Sequence, residues 1–287
     1  NAVFDNAYLI VVSVGMTFVL LTGGIDISVA SIVAFTGVFA AFLLEKGWAA
    51  APVIALTLFI GAFVGFLQGY AVHEFKIAPF LITLAGQFLM RGMCAVVSTI
   101  SIPITNDFFK SAALAKISWV TASGSRPKLY YYVFFAIAIV IIAWYILRFT
   151  RFGRAVYAVG SNEQSAQYMG LNVKGVKVGV YAINGFCSAL GGILFSFYTL
   201  AGYSLQNMGM ELDAISSAVI GGTLLTGGVG TVIGSMVGVL IQGIIQTIVT
   251  YQNLNTWWTK VTIAAILCFF IVIQRLIAIR AEKDKAA

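Results

Sequence analysis

Six polar side chains stand among apolar neighbours and carry what chemistry the sequence offers: Gln242, Gln246, Asn184, Gln87, Asp26 and Asp213. Four are amides, each presenting donors and an acceptor without fixed charge, which suits a neutral, hydroxyl-rich molecule. Gly230, Gly234, Gly238, Gln242 and Gln246 recur every four residues and so form one slowly drifting stripe on a helix. Small residues at that spacing let backbones approach closely, which makes the glycines a helix contact. The glutamines extend the stripe either as part of that contact or as the lining of a wet cavity, because an unpaired amide in hydrocarbon is costly. Asp26 and Asp213 each precede a run of small and apolar residues. There a carboxylate caps a helix start and meets the positive end of its dipole; a place on a solute path is the other reading. Arg91, in an apolar run after Gln87, is expected to pair with a carboxylate or a partner chain.

Bond-making chemistry is not supported. His73 is the only histidine and has no nucleophile or metal set around it in sequence. No GxxxxGK[ST] phosphate loop occurs, so any nucleotide hydrolysis must come from another chain. Cys94, Cys187 and Cys268 are far apart, lack CxxC spacing and read as apolar filler. No cofactor is expected.

The elements that must position these residues are membrane helices. Of 287 residues, 60% are hydrophobic and 9% charged, and mean hydropathy is +0.98, whereas soluble domains average about 45 to 50% apolar and roughly 25% charged. Apolar stretches lie at 7 to 22, 28 to 44, 51 to 72, 79 to 99, 130 to 149, 176 to 203, 213 to 229, 230 to 250 and 258 to 275. An all-α polytopic membrane protein with about nine membrane segments is expected, each helix needing about 20 residues to cross. The segment opened by Thr22, Gly23, Gly24, Ile25 and Asp26 and the one holding Gly221, Gly222, Gly227 and Gly228 read as broken helices. Such breaks are tolerated at membrane depth only where protein or a cavity surrounds them. The chain opens at Asn1, close to an apolar run, and a short preceding span is expected.

The net charge of +7 belongs to loops between apolar runs and not to nucleic-acid binding. With a cytoplasmic C-terminus, alternation puts Lys76, Arg148, Arg151, Arg154, Lys174, Lys177, Arg275, Arg280, Lys283 and Lys285 inside. Lys46, Lys110, Lys116, Arg126, Lys128 and Lys260 fall outside, mostly in a periplasmic loop at 101 to 129. One transmembrane domain, 1 to 287, accounts for the whole chain.

Two phrases occur twice in the same order. Asp26 to Val33 resembles Asp213 to Ile220, and Gly61 to Gly69, ending Gln68 and Gly69, resembles Gly234 to Gly243, ending Gln242 and Gly243. On these spans the copies cross in opposite directions, the pattern of an inverted repeat. The 150 to 175 segment is more structured than a connector needs. Ser161 with Gln164 reads as a capping box and Gly170 as a C-terminal cap, which predicts a short helix over 162 to 169 off the membrane. A rigid element there suits docking of an external motor.

The glycine and aspartate phrase at 22 to 28, the run Ala78, Pro79, Phe80, Leu81, Ile82, Thr83, Leu84 followed by Arg91 and Gly92, the 151 to 171 loop, and Glu211 through Gly230 together resemble the branched-chain amino-acid and ribose-type permeases of bacterial ATP-binding-cassette importers. The likeness covers nearly the whole chain and is greatest to the monosaccharide group, especially permeases of galactofuranose uptake. It implies paired permeases in the cytoplasmic (inner) membrane, same or different, two cytoplasmic ATPases, a periplasmic sugar-binding protein and a monosaccharide substrate. It also implies that Gly160, Ser161, Asn162, Glu163, Gln164, Ala166 and Gly170 belong to the coupling helix seated in the ATPase. The Ser161, Asn162 pair departs from relatives that often carry Gly and Asn. An ion-coupled secondary transporter, or a nucleoside or autoinducer importer of the same family, remains the alternative.

Overall fold

The computed structural model describes residues 6–118, 128–252, 255 and 257–286; side chains at 117, 118, 128, 129 and 274–286 are outside the description. Arg126, and the side chains of Lys128, Arg275, Arg280, Lys283 and Lys285, used above for orientation, are therefore outside it. Among the described residues twelve helices follow in order: α1 (Ala7–Leu21), α2 (Val29–Glu45), α3 (Ala50–Glu74), α4 (Pro79–Val97), α5 (Asp107–Leu114), α6 (Tyr131–Phe149), α7 (Arg151–Ser161), α8 (Glu163–Tyr168), α9 (Val173–Thr199), α10 (Met210–Ile220), α11 (Val232–Tyr251) and α12 (Trp257–Ala286). Two small antiparallel ladders join Ile102–Pro103 (β1) to Ala201–Gly202 (β4), and Lys116–Ser118 (β2) to Lys128–Tyr130 (β3).

Each of the nine apolar stretches carries a helix. Five of these, α3, α4, α6, α9 and α11, are long and apolar enough to cross a bilayer; α1, α2 and the 257 to 273 part of α12 are apolar but shorter. The stretch from 213 to 229 is not one span: α10 has 11 residues, and 221 to 231 leaves the helix with Gly222, Gly227 and Gly228 at φ +91, +86 and +77. Only glycine adopts that left-handed region cheaply, so the glycines themselves make the break.

α1 is the hub. Its side chains are buried almost throughout, against α9, α10, α11 and α6. In contrast α3, α4 and α6 turn large apolar side chains outward, among them Phe59, Phe88, Phe135 and Tyr145, as helices facing lipid do. Lipid supplies no hydrophobic drive for helix association, so close packing and hydrogen bonds must hold the bundle. Gly61, Gly65 and Gly69 bring α3 onto α9, where an added Cβ would meet Ala189, the Tyr181 carbonyl and Val178. Gly234 and Gly238 bring α11 onto Gly221 and Ser217 in the same manner.

Contacts between helix ends sort the molecule into two poles. At one, Lys174 at the start of α9 meets Glu74 at the end of α3 at 2.6 Å, and the Gly228 amide bonds the Leu21 carbonyl at the end of α1 at 2.9 Å. At the other, β1 pairs with β4, and Arg91 of α4 donates to the carbonyls of Ser204 and Gln206 at 2.7 and 2.8 Å. Of the two partners expected for Arg91, a carboxylate or a partner chain, the first is corrected: backbone oxygens of the 203 to 209 turn, which no helix ladder uses, take its donors among the described residues.

Candidate functional site

The non-helical stretch 22 to 28 carries Asp26 into the bundle, where it is fully buried. One carboxylate oxygen accepts from the Ser28 amide at 2.8 Å and the Ser28 hydroxyl at 2.7 Å; the other accepts from Asn184 Nδ2 of α9 at 2.7 Å. Ser28 is the residue from which α2 starts, so Asp26 braces that helix start while spending its second oxygen on α9. Gln68 of α3 donates to the Ser28 hydroxyl at 3.0 Å, and Thr83 of α4 accepts from the Ile27 amide at 3.3 Å. Beside this cluster the side-chain oxygen Oδ1 of Asn184 and the Tyr181 hydroxyl are buried without a partner among the described residues.

A second cluster joins α10 to α11. Gln242 Nε2 donates to the Asp213 carbonyl at 3.1 Å and to the Ser216 hydroxyl at 2.7 Å. Asp213 lies inside the first turn of α10, whose N-cap is Gly209, so the expectation that its side chain caps the helix is corrected, and only the favourable dipole end remains to it. One turn beyond buried Gln242, Gln246 is exposed, so the drifting stripe separates the two glutamines. Gly234 and Gly238 serve helix contact, as their spacing predicts, while Gly230 lies before the helix. Gln87 Nε2 reaches Glu211 Oε1 at 3.3 Å, apart from both clusters. α1 spans between them and the rest through Ser13 to Ser217 at 2.7 Å and Thr17 to Ser235 at 2.6 Å.

The 150 to 175 segment forms two helices instead of one. Ser161 ends α7, its hydroxyl returned to the Tyr157 carbonyl at 2.9 Å; Asn162 is the cap of α8, its side chain accepting from the Ser165 amide at 2.8 Å. This corrects the capping box by one residue: Asn162 leaves the helix in an extended conformation, and its side chain, accepting from the amide three residues on, takes the role assigned to Ser161. Gly170 at φ +78 ends α8, with its amide on Gln167 and that of Leu171 on Ala166, a Schellman closure over the fully buried Ala166. Glu163 pairs with Lys177 of α9 at 2.6 Å.

Both broken segments come down onto this unit. Gly160 lies against the Leu21 carbonyl and the Gly228 amide with no room for a Cβ, and Tyr157 donates to the Gly230 carbonyl at 2.8 Å. Burial holds the Tyr157 phenol above its ordinary value, with nearby Arg148 opposing, so the hydroxyl remains a donor. A cavity of about 850 Å³ opens here, bordered by His73, Lys76, Gly160, Glu163, Gln164 and Gln167 among others. A smaller one of about 180 Å³ continues past Thr22 and Gly24 to Tyr181.

Sequence reasoning passed over Ser28, Tyr157 and Tyr181 as site residues, and quoted Gln68 only within a repeat. Gln68 was recoverable, since it occupies the place before glycine that Gln242 occupies. The tyrosines had no such signal, because their partners are a backbone carbonyl and a cavity.

A chain of apolar helices with internal breaks, a buried polar lining and a capped pair of helices off one pole has the build of a membrane permease subunit. The chain belongs to the family described as branched-chain amino acid transport system, permease component, which it matches over residues 1–271. It is 43% identical over 290 residues to the inner membrane ABC transporter permease protein YjfF of Escherichia coli (strain K12), covering 100% of this chain and 86% of that one. To the fructose import permease protein FruG of Bifidobacterium longum it is 37% identical over 275 residues, covering 95% and 81%. The ribose import permease protein RbsC of Haemophilus influenzae is 36% identical over 259 residues, covering 90% and 78%. No solved structure matches.

Proposed function

We propose that this chain is the inner-membrane permease subunit of a bacterial ATP-driven importer, that it passes a monosaccharide, galactofuranose in the first instance, and that a partner ATPase drives it through residues 160 to 171. The observation that carries the reading is the seat of Gly160 against both broken segments, Leu21 on one side and Gly228 on the other. A push on α7 and α8 at that point reaches both breaks at once, without an intervening flexible loop. The sugar permeases among the relatives support the substrate class.

In this reading the solute meets mainly amides and hydroxyls. Asp26 is already held by Ser28 and Asn184, while Gln242, Gln246, Asn184 and Gln87, with Asp213 at the head of α10, border the route. A weakly binding lining suits a subunit that must release what a periplasmic sugar-binding protein has selected. The parallel bonds Gln68 to Ser28 and Gln242 to Ser216 support an inverted repeat, each long helix using its glutamine to hold the short helix of its own half. The pole bearing α7 and α8 is then cytoplasmic and the 101 to 129 loop periplasmic, and the nine apolar stretches, with the 213 to 229 one only partly helical, run between the poles.

The test is uptake in vesicles holding the chain with candidate ATPase and binding-protein partners. ATP-dependent uptake of labelled galactofuranose, competed poorly by ribose and fructose, is expected. Uptake by the chain alone on an ion gradient overturns the proposal.

A further inference from the structure

At the end of α6, between the first turn of α7 and the start of α11, lies a cavity of about 470 Å³ lined by Trp144, Leu147, Arg148, Arg154, Tyr157 and Thr231 with Val232. It holds two arginines and no carboxylate. Neither arginine forms an ion pair among the described residues, and the hydrogen bond from Arg154 to the Phe149 carbonyl is long, 3.4 Å. A third positive contribution comes from α11, a helix of 20 residues whose N-terminus, capped by Thr231, borders the same space. Three sources of positive potential around an open cavity call for an anion, and guanidinium groups match the oxygens of phosphate.

The neighbourhood says which anion. Ile141, Trp144 and Tyr145 precede Arg148 at three- and four-residue spacings on one face of α6, and all are exposed, at 58%, 39% and 58%. Arg148 therefore caps an outward apolar face at the depth where a span ends and aromatic side chains gather in a membrane. A free phosphate would use the arginines alone. A phospholipid uses the arginines and the face together.

We propose that this cavity binds the phosphate of an anionic phospholipid, with an acyl chain lying along Ile141 and Tyr145. Basic pockets between membrane helices are suited to such headgroups. Because Tyr157 lines the cavity and also holds the Gly230 carbonyl, the lipid touches the element that carries the second break. The assignment needs only that the chain spans a membrane and is independent of the solute.

The purified full chain, equilibrated with mixed micelles of phosphatidylglycerol and phosphatidylcholine, is examined for retained lipid by native mass spectrometry. Wild type should retain phosphatidylglycerol selectively. Arg148→Ala with Arg154→Ala should lose retention by about five-fold per arginine, the factor that one basic residue contributes near a charged membrane surface. Arg151→Ala, outside the cavity lining, should retain it as wild type does, and the paired lysine variant should fall between. Equal retention by the alanine pair, or by phosphatidylcholine, overturns the assignment. Displacement of retained lipid by low-millimolar inorganic phosphate overturns it in favour of the free ion. If the alanine pair does not fold, Arg148→Gln alone decides on the same criteria.

Discussion

Gly160 rests on the carbonyl of Leu21 so closely that a single added carbon has nowhere to go. The end of α1 and the end of α7 are thus in backbone contact, and the Gly228 amide enters the same junction. Replacing Gly160 by Ala forces these backbones apart, at about 1 to 3 kcal/mol for overpacking. A lower melting temperature in detergent is expected, together with ATP hydrolysis by the partner that no longer scales with uptake. An alanine variant as stable and as well coupled as wild type would remove the junction from the mechanism.

Tyr157→Phe keeps the ring and deletes one donor, leaving the Gly230 carbonyl without the bond at 2.8 Å. The expected loss of about 0.5 to 1.5 kcal/mol is small for folding. If α7 moves the second break through this bond, the ratio of sugar imported to ATP hydrolysed should fall several-fold while basal hydrolysis holds.

Gln242 and Gln246 should behave differently. Gln242→Ala strips two bonds between α10 and α11 and should cost about 1 to 3 kcal/mol of stability, whereas exposed Gln246→Ala should leave stability unchanged. Uptake by the double variant at matched expression should drop several-fold. Normal uptake would return both glutamines to packing alone.

Asn184→Ala takes the only described donor from one oxygen of the buried Asp26 carboxylate. Urea or thermal unfolding should register about 1 to 3 kcal/mol, and Asn184→Asp should be worse, since it sets two carboxyls together. Stability unchanged in both would mean that Asp26 has another partner.

Cysteine labelling from one side of the membrane should separate Lys110 from Glu163. Cys268 is exposed and must first become Ser, while Cys94 and Cys187 are buried. Labelling of both positions by one impermeant reagent, in sealed vesicles of one orientation, contradicts the sidedness proposed here.

The membrane class, the position of every apolar helix and both breaks were legible, because a helix in lipid writes its length in apolar residues and its interruption in glycines. The boundary at Ser161 was missed by one residue because Ser161 and Asn162 are both good caps, and only the turn of the chain chooses between them. The α10 segment was read too long because the residues after Gly221 are as apolar as a helix while their backbone is not helical. Pairings such as Asp26 with Asn184, 158 residues apart, depend on which helices become neighbours, and composition is silent on that.

α1 has one further consequence, for biogenesis. Its Ser13 and Thr17 find partners in Ser217 and Ser235, and the carbonyl of its last residue, Leu21, is met by the amide of Gly228. All three partners leave the ribosome some 200 residues later. α1 is therefore made long before the chain that encloses it and must wait in the bilayer with unfilled contacts. Closure of the molecule around it belongs to the last stage of synthesis, and a chain truncated before residue 217 should present α1 to the membrane's quality-control proteases.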